Sequence, residues 1–290
     1  MSLSKILQSP NILSMIAGKT YDEIKNILLE KGDEYYAGNT QESDTIRRNL
    51  ISFGLPSDNN TIKRVQDNII FHYAEKILPL AGTPQQLADF VENRIDLSQA
   101  KDQLKNALQK GSILAAVSHF GAVESTIPAL SYLKIPTNPV LKFSTQILSE
   151  RIHDYAKLME ESRLFAPIKF IEIGKPQSPS AFLMARVLDR KEALFSVFDE
   201  ETPHSKPVKL FNKKVLGGAG LDRLLKYAHK NVSIFNIFMI RTKGNIKMHL
   251  IPVDIETEDL AQQMFSNLQS VLEEHFEQWY FLHENISFIE

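Results

Sequence analysis

Hydrophobic and polar positions change their rhythm near Gly111. Before it, apolar residues recur every three or four positions, the period of helices that bury one face. Thr20-Tyr21-Asp22-Glu23 has the form of a capping box, and Ile24, Ile27, Leu28 and Leu29 follow it at helical spacing. The polar stretch 35–43 reads as a loop. A helix over 44–53 stops before Gly54 and Pro56, and a long amphipathic helix covers 60–80. Thr83 caps the next, with Pro84 at its first position, and a helix over 98–110 ends at Gly111. Ahead of all these, apolar residues stand at 3, 6, 7, 12, 13, 15 and 16, interrupted by Pro10. They predict a short helix packed on the body; a segment resting on a membrane or a partner is the alternative.

After Gly111, short apolar runs alternate with helical periods. Strands are predicted at 112–118, 137–142, 167–172, 193–198, 207–211, 232–240 and 246–252. Helices are predicted at 121–133, 144–161, 178–190 and 218–230. This alternation indicates an α/β fold. Lys243-Gly244-Asn245 joins the last two strands as a hairpin, so the expected central sheet is mixed and mostly parallel, flanked by helices. A closing helix runs from about 257 to 280. The division expected is a helical N-terminal part over 1–110 and an α/β core over 111–290, together one compact unit.

Composition narrows the chemistry. The 290 residues are 43% hydrophobic and 23% charged, an ordinary globular balance. A net charge of -2 gives no reason to expect nucleic acid. The absence of cysteine excludes disulfides and thiolate chemistry. The eight histidines show no metal-ligand spacing, and neither a metal nor a resident cofactor is expected. No apolar run approaches the length of a membrane span, and the first residues lack the apolar centre of a signal peptide. A cytoplasmic protein is expected, with peripheral contact at the inner membrane left open.

Candidate chemistry begins where the run Ile113–Val117 ends, at Ser118-His119-Phe120-Gly121-Ala122-Val123-Glu124. Taken alone, His119 is a strand-end histidine bonded to backbone. At a strand-to-helix turn it can also serve as a base, kept neutral by the positive end of the helix that follows. Residues five apart on a regular helix lie about 140° apart around its axis. Glu124 therefore meets the imidazole only if His119 precedes the helix and folds back over its first turn. There it would hold one tautomer, as the acid of a catalytic triad does. No Gly-x-Ser-x-Gly elbow supplies a nucleophile, and Ser118 and Ser125 lack that context. The pair thus points to activation of an incoming acceptor.

His119-x4-Glu124 after an apolar strand resembles the motif of the lysophospholipid acyltransferase superfamily, and further segments are similar to its bacterial lipid A late-acyltransferase branch. Ile46-Arg47-Arg48-Asn49-Leu50, Phe53 and Pro56 look like that branch's entry segment. Phe198-Asp199-Glu200 stands where it has Pro-Asp-x-Asp, and Leu210-Phe211 where it has Phe-Phe-Gly. Gly220-Leu221-Asp222-Arg223-Leu224 and Arg241-x-x-Gly244 follow its helix and hairpin. Glu277-Gln278-Trp279-Tyr280-Phe281-Leu282-His283 resembles its ending. In order, these segments cover roughly residues 45–285. The resemblance implies an acyltransferase in which His119 activates a hydroxyl or amine that attacks a fatty acyl thioester. The thioester, on acyl carrier protein or coenzyme A, is a co-substrate. Backbone amides near 120 or a basic side chain would receive the oxyanion. Asp199 and Arg241 stand where the family has site residues; the ordinary alternative is an ion pair at strand ends. Arg151 or Lys157 would take the place of a basic family residue on the helix after the second strand.

Three departures alter the implied acceptor. The branch's N-terminal membrane helix is not seen. Glu284 and Asn285 follow His283 where the branch continues into arginines that would suit a phosphorylated lipid. Asn212, Lys213 and Lys214 follow Leu210-Phe211. With Lys206 and Lys209, these lysines are a solvated face or a dock for an acidic carrier protein or an anionic membrane. The acceptor expected is a lipid or another small molecule bearing an amine or hydroxyl. Phe120, Phe143 and Phe195 are either acyl-pocket lining or core. A thioesterase and a non-catalytic binder of lipid or carrier protein are the competing readings.

Overall fold

The computed structural model describes residues 2–142, 146–174, 180–218, 220–225 and 231–289. Seven helices lead the chain: α1 (Leu3–Leu7), α2 (Pro10–Ile16), α3 (Tyr21–Gly38), α4 (Thr40–Phe53), α5 (Asn59–Ala81), α6 (Pro84–Arg94) and α7 (Ala100–Lys110). Pro10, which has no N–H to continue a helix, splits the first apolar segment in two. Both pieces bury their apolar side, through Leu3 and Leu7 and through Ile12 and Ile16. The Thr20–Glu23 and Thr83–Gln86 capping boxes close as their sequences require. The polar stretch 35–43 is not a loop. α3 runs to Gly38 and α4 begins at Thr40, so the break is at Asn39 alone. Tyr35 and Asn39 hold the corner, Asn39 donating to the Tyr35 hydroxyl (2.7 Å) and Tyr35 to Glu42 Oε1 (2.7 Å). Exposed polar residues can be helical without apolar periodicity, which is why the pattern missed them.

The remaining elements are β1 (Ile95–Asp96), β2 (Ser112–Gly121), α8 (Thr126–Tyr132), β3 (Thr137–Leu141), α9 (Gln146–Glu161), β4 (Ile171–Glu172), α10 (Ser180–Leu188), β5 (Ala193–Val197), β6 (Ser205–Leu210), β7 (Lys213–Gly218), α11 (Gly220–Leu225), β8 (Val232–Arg241), β9 (Ile246–Val253), α12 (Leu260–His275) and β10 (Phe288–Ile289). The central sheet has the order β1-β9-β8-β2-β5-β3-β4. Neighbours are parallel except β8 and β9, the predicted hairpin. The chain is therefore an α/β protein with a mixed, mostly parallel sheet and a helical N-terminal part. β2 lies at the centre, and Ile113–Val117 are wholly buried, as a strand covered on both faces should be.

Four elements depart from the pattern. The strand expected at 167–172 shrinks to β4, preceded by a lone bridge from Ile168 to Thr137. The helix expected at 121–133 starts with a 3₁₀ turn, Val123–Ser125. The closing helix ends at His275 and continues as two 3₁₀ turns, Phe276–Gln278 and Tyr280–His283. Between them Trp279 is extended and bridges Phe120 at the end of β2. Finally, 207–211 does not join the central sheet. β6 pairs with β7 and β7 with β10 in a separate antiparallel sheet. β7 escaped prediction because its lysines and glycines are poor strand formers. Gly217 is nevertheless required there, since a Cβ would sit 2.6 Å from the Phe265 ring of α12. The ends of the helices expected at 144–161 and 218–230 lie partly outside the described residues.

Candidate active site

Strand register brings the site together. β2 and β5 are parallel, with Val117 opposite Val197. His119 and Asp199 each lie two residues further on, so both emerge at the carboxyl edge of the sheet. On the other side of β2, Gly121 is opposite Met239 of β8, and Arg241 is two residues beyond it. Open α/β sheets place ligands at this edge.

Asp199, not Glu124, orients the imidazole. His119 Nδ1 is 2.9 Å from Asp199 Oδ1. The His119 backbone N–H donates to Asp199 Oδ2 (2.9 Å), and so does Trp279 Nε1–H (3.1 Å). Three donors thus fix both carboxylate oxygens, and the carboxylate is completely buried. With Nδ1 donating to it, Nε2 is left as the acceptor, the form a general base needs. The His119 ring keeps 23% of its side-chain surface exposed. It packs on Phe281, ring centroids 4.7 Å apart, and lies 6.2 Å from Tyr280. Both rings come from the Trp279-Tyr280-Phe281 segment.

The charge environment also differs from expectation. Burial pulls the His119 pKa down, but the Asp199 charge and hydrogen bond, helped by Glu124 and Glu200, raise it above the ordinary imidazole value. The element that follows is only one 3₁₀ turn and a seven-residue helix. Catalysis by neutral His119 should therefore strengthen as pH rises through a value above the usual one.

Glu124 turns instead toward α5. Its Oε1 is 3.4 Å from His72 Nε2 and 3.7 Å from Lys76 Nζ. Burial holds the His72 pKa far below its usual value, with the Lys76 charge adding to the effect, so His72 is neutral. Residues 119 and 124 diverge because Gly121 takes a left-handed turn between them, at φ +57°. Glu124 and Lys76 stand in the wall of an apolar cleft of about 220 Å³, between α5, α8, β3 and α9. Ile127, Pro128, Ile152, Ala156 and Met159 contribute to its lining. Phe120 and Phe195 do not line it; both are core residues. Phe143 lies outside the described residues.

Arg241 is a buried structural cation. Its Nε and Nη2 donate to Glu75 Oε1 and Oε2 (2.8 and 2.7 Å), Nη1 to Asn68 Oδ1 (3.2 Å), and Nη2 also to the Gly121 carbonyl (2.8 Å). Tyr21 donates to Glu75 Oε1 (3.0 Å), and Gln278 bonds both the N–H and the C=O of Arg241. Arg241 is thus committed to the loop after His119 and is no free oxyanion donor. Among the amides near 120, those of Ala122 and Ser125 are taken by the Met239 and Ala122 carbonyls. Arg151 is exposed on α9. Lys157, also there, is 74% exposed and 3.8 Å from Glu161. Neither is among the described contacts of His119. Lys206 pairs with Asp259 (2.9 Å), and Lys209 and Lys214 face each other across β6 and β7.

The sequence reading missed His72, Glu75 and Lys76. The first two carry a signal: they are polar residues in phase with the buried positions of α5, such as Ile69 and Leu78. Gly121 is equally constrained, since a Cβ would lie 2.0 Å from the Met239 carbonyl oxygen. Gly121→Ala should lose about 1–3 kcal/mol of stability from backbone strain alone, measurable by denaturant unfolding. It should also displace His119. Retention of wild-type stability and activity would show that the turn tolerates the change.

Neither models of known protein families nor curated proteins match the chain. Among the described residues, no helix is long and apolar enough to cross a membrane.

Proposed function

We propose that this chain is an acyltransferase moving a fatty acyl group from a thioester to a hydroxyl or amine. The observation that carries the reading is the imidazole held at Nδ1 by a buried, triply bonded Asp199 at the carboxyl edge of the sheet. His119 Nε2 takes the proton of the acceptor as its oxygen or nitrogen forms a bond to the thioester carbonyl carbon. The tetrahedral intermediate then expels the thiolate, and the imidazolium returns the proton to sulfur. The thiol belongs to acyl carrier protein or coenzyme A.

The apolar cleft supports the same reading. Its 220 Å³ falls below the usual range of about 300–1,000 Å³ for ligand sites. That suits a single acyl chain of modest length. Glu124, whose charge acts on His119, gives it a polar wall near the site, with Lys76 3.7 Å from that carboxylate.

Incubation with acyl thioesters and an acceptor panel, followed by intact mass, tests the proposal. Transfer should require an acceptor, and His119→Ala should lower it by at least roughly 100-fold while the protein still unfolds cooperatively, at a temperature lowered by the lost donor to the buried Asp199. Equally fast release of free acid without an acceptor would assign a thioesterase. Unchanged transfer by His119→Ala would remove the proposal.

A further inference from the structure

A second cavity, larger and opposite in chemistry, opens where the Tyr280 turn meets the N-terminal helices. Its volume is about 680 Å³, and its walls come from the N-terminal helices and the last 3₁₀ turn. Tyr35, Asn39, Glu42, Tyr73, Tyr280 and His283 supply polar groups to it. Among the described lining residues there is no lysine or arginine, while Glu42 and Glu284 bring carboxylates. Such a wall repels phosphate. It can accept and donate several hydrogen bonds to a head bearing hydroxyls.

Glu42 is already engaged: its Oε1 accepts from Tyr35, and the same carboxylate reaches the Tyr36 phenol, where it helps burial raise that phenol's pKa. One pair of hydroxyls has capacity to spare. The Tyr73 and Tyr280 hydroxyls are 2.7 Å apart. One donates to the other, so the accepting phenol keeps its own proton for a further partner.

Tyr280 also joins this cavity to the chemistry. Its ring lies 4.4 Å from His72 and 6.2 Å from His119, and His72 in turn touches Glu124 in the wall of the apolar cleft. Tyr280 thus stands between the polar cavity, which it lines, and the His119 ring.

We infer that the polar cavity binds the acceptor as a hydroxyl-rich, non-phosphorylated head, a sugar or polyol. As an acceptor site it rests on the acyl-transfer reading; as a binding site it does not. The test therefore begins with binding. Saturation-transfer NMR on His119→Ala protein, which cannot turn over, should show contact with methyl β-D-glucoside. Glucose 6-phosphate should bind at least about tenfold more weakly, the loss of one charge-opposed contact worth roughly 1.4 kcal/mol. Glu42→Gln and Tyr35→Phe, checked for native unfolding temperature, should each weaken the glucoside signal several-fold. In active protein they should raise the KM for a sugar acceptor and leave the KM for the acyl thioester unchanged. No contact with the glucoside, stronger binding of the phosphate, or indifference to both substitutions would overturn the inference. Glucoside binding without acyl transfer would overturn the acyltransferase reading and leave the site standing.

Discussion

Asp199→Asn should lower kcat/KM by roughly 1,000- to 10,000-fold, against a loss of less than about tenfold for Glu124→Gln. The asymmetry follows from hydrogen-bond capacity. The Asp199 carboxylate receives His119 Nδ1–H, the His119 amide and Trp279 Nε1–H. An asparagine offers one oxygen and must present its NH₂ group to one of those donors. If it faces Nδ1, the imidazole adopts the other tautomer and Nε2 carries the proton, so the base is lost. If it faces the amide and the indole, two buried donors lose their acceptor, at about 1–3 kcal/mol each. Either outcome damages the site. Glu124 has no such role; it stands against His72 and Lys76, and its charge is a lesser support of the His119 pKa.

A pH profile separates loss of a base from general damage. In the wild type, the Asp199 charge raises the His119 pKa, so kcat/KM should climb through a value above the usual imidazole one of about 6.5. Removing that charge lowers the pKa. The residual activity of Asp199→Asn should therefore reach its plateau at a lower pH than wild type. A limb that stays in place, or moves to higher pH, would mean that Asp199 does not set the charge of the base. A larger loss for Glu124→Gln would return the orienting role to the carboxylate five residues from His119.

His119 was legible because an apolar run long enough for a covered strand ends on it. Its partner was legible only as a residue at a strand end. The register that pairs Val117 with Val197 is tertiary, 80 residues apart in the chain, and local periodicity contains no trace of it. The spacing from His119 to Glu124 was visible, but the left-handed turn at Gly121 that separates their side chains was not. β7 was hidden because its pairing with β6 and β10 overrides weak local propensity. The buried Glu75 could have been found as an acid among the buried positions of α5. Its partner at residue 241 could not, since helix and hairpin meet only through packing.

Loss of one member of the Glu75–Arg241 pair should cost about 3–5 kcal/mol of stability, because the other charge stays buried without compensation. Glu75 is wholly buried and the Arg241 side chain nearly so. Arg241→Met alone leaves the carboxylate with Tyr21 as its remaining described donor and frees the Gly121 carbonyl. Glu75→Leu combined with Arg241→Met removes both charges. Buried pairs replaced by apolar residues of similar volume are often neutral or stabilising, so the double variant should regain most of the stability lost by either single one. Activity should not return with it. The Nη2 donor to Gly121 is still missing, and the turn that aims His119 loses one of its ties to β8, keeping the Ala122 N–H bond to Met239. Unfolding in denaturant and kcat/KM measured on the same three proteins decide the matter. Stability and activity that recover together would make Arg241 a structural cation only; stability without activity makes it a positioning residue for the base.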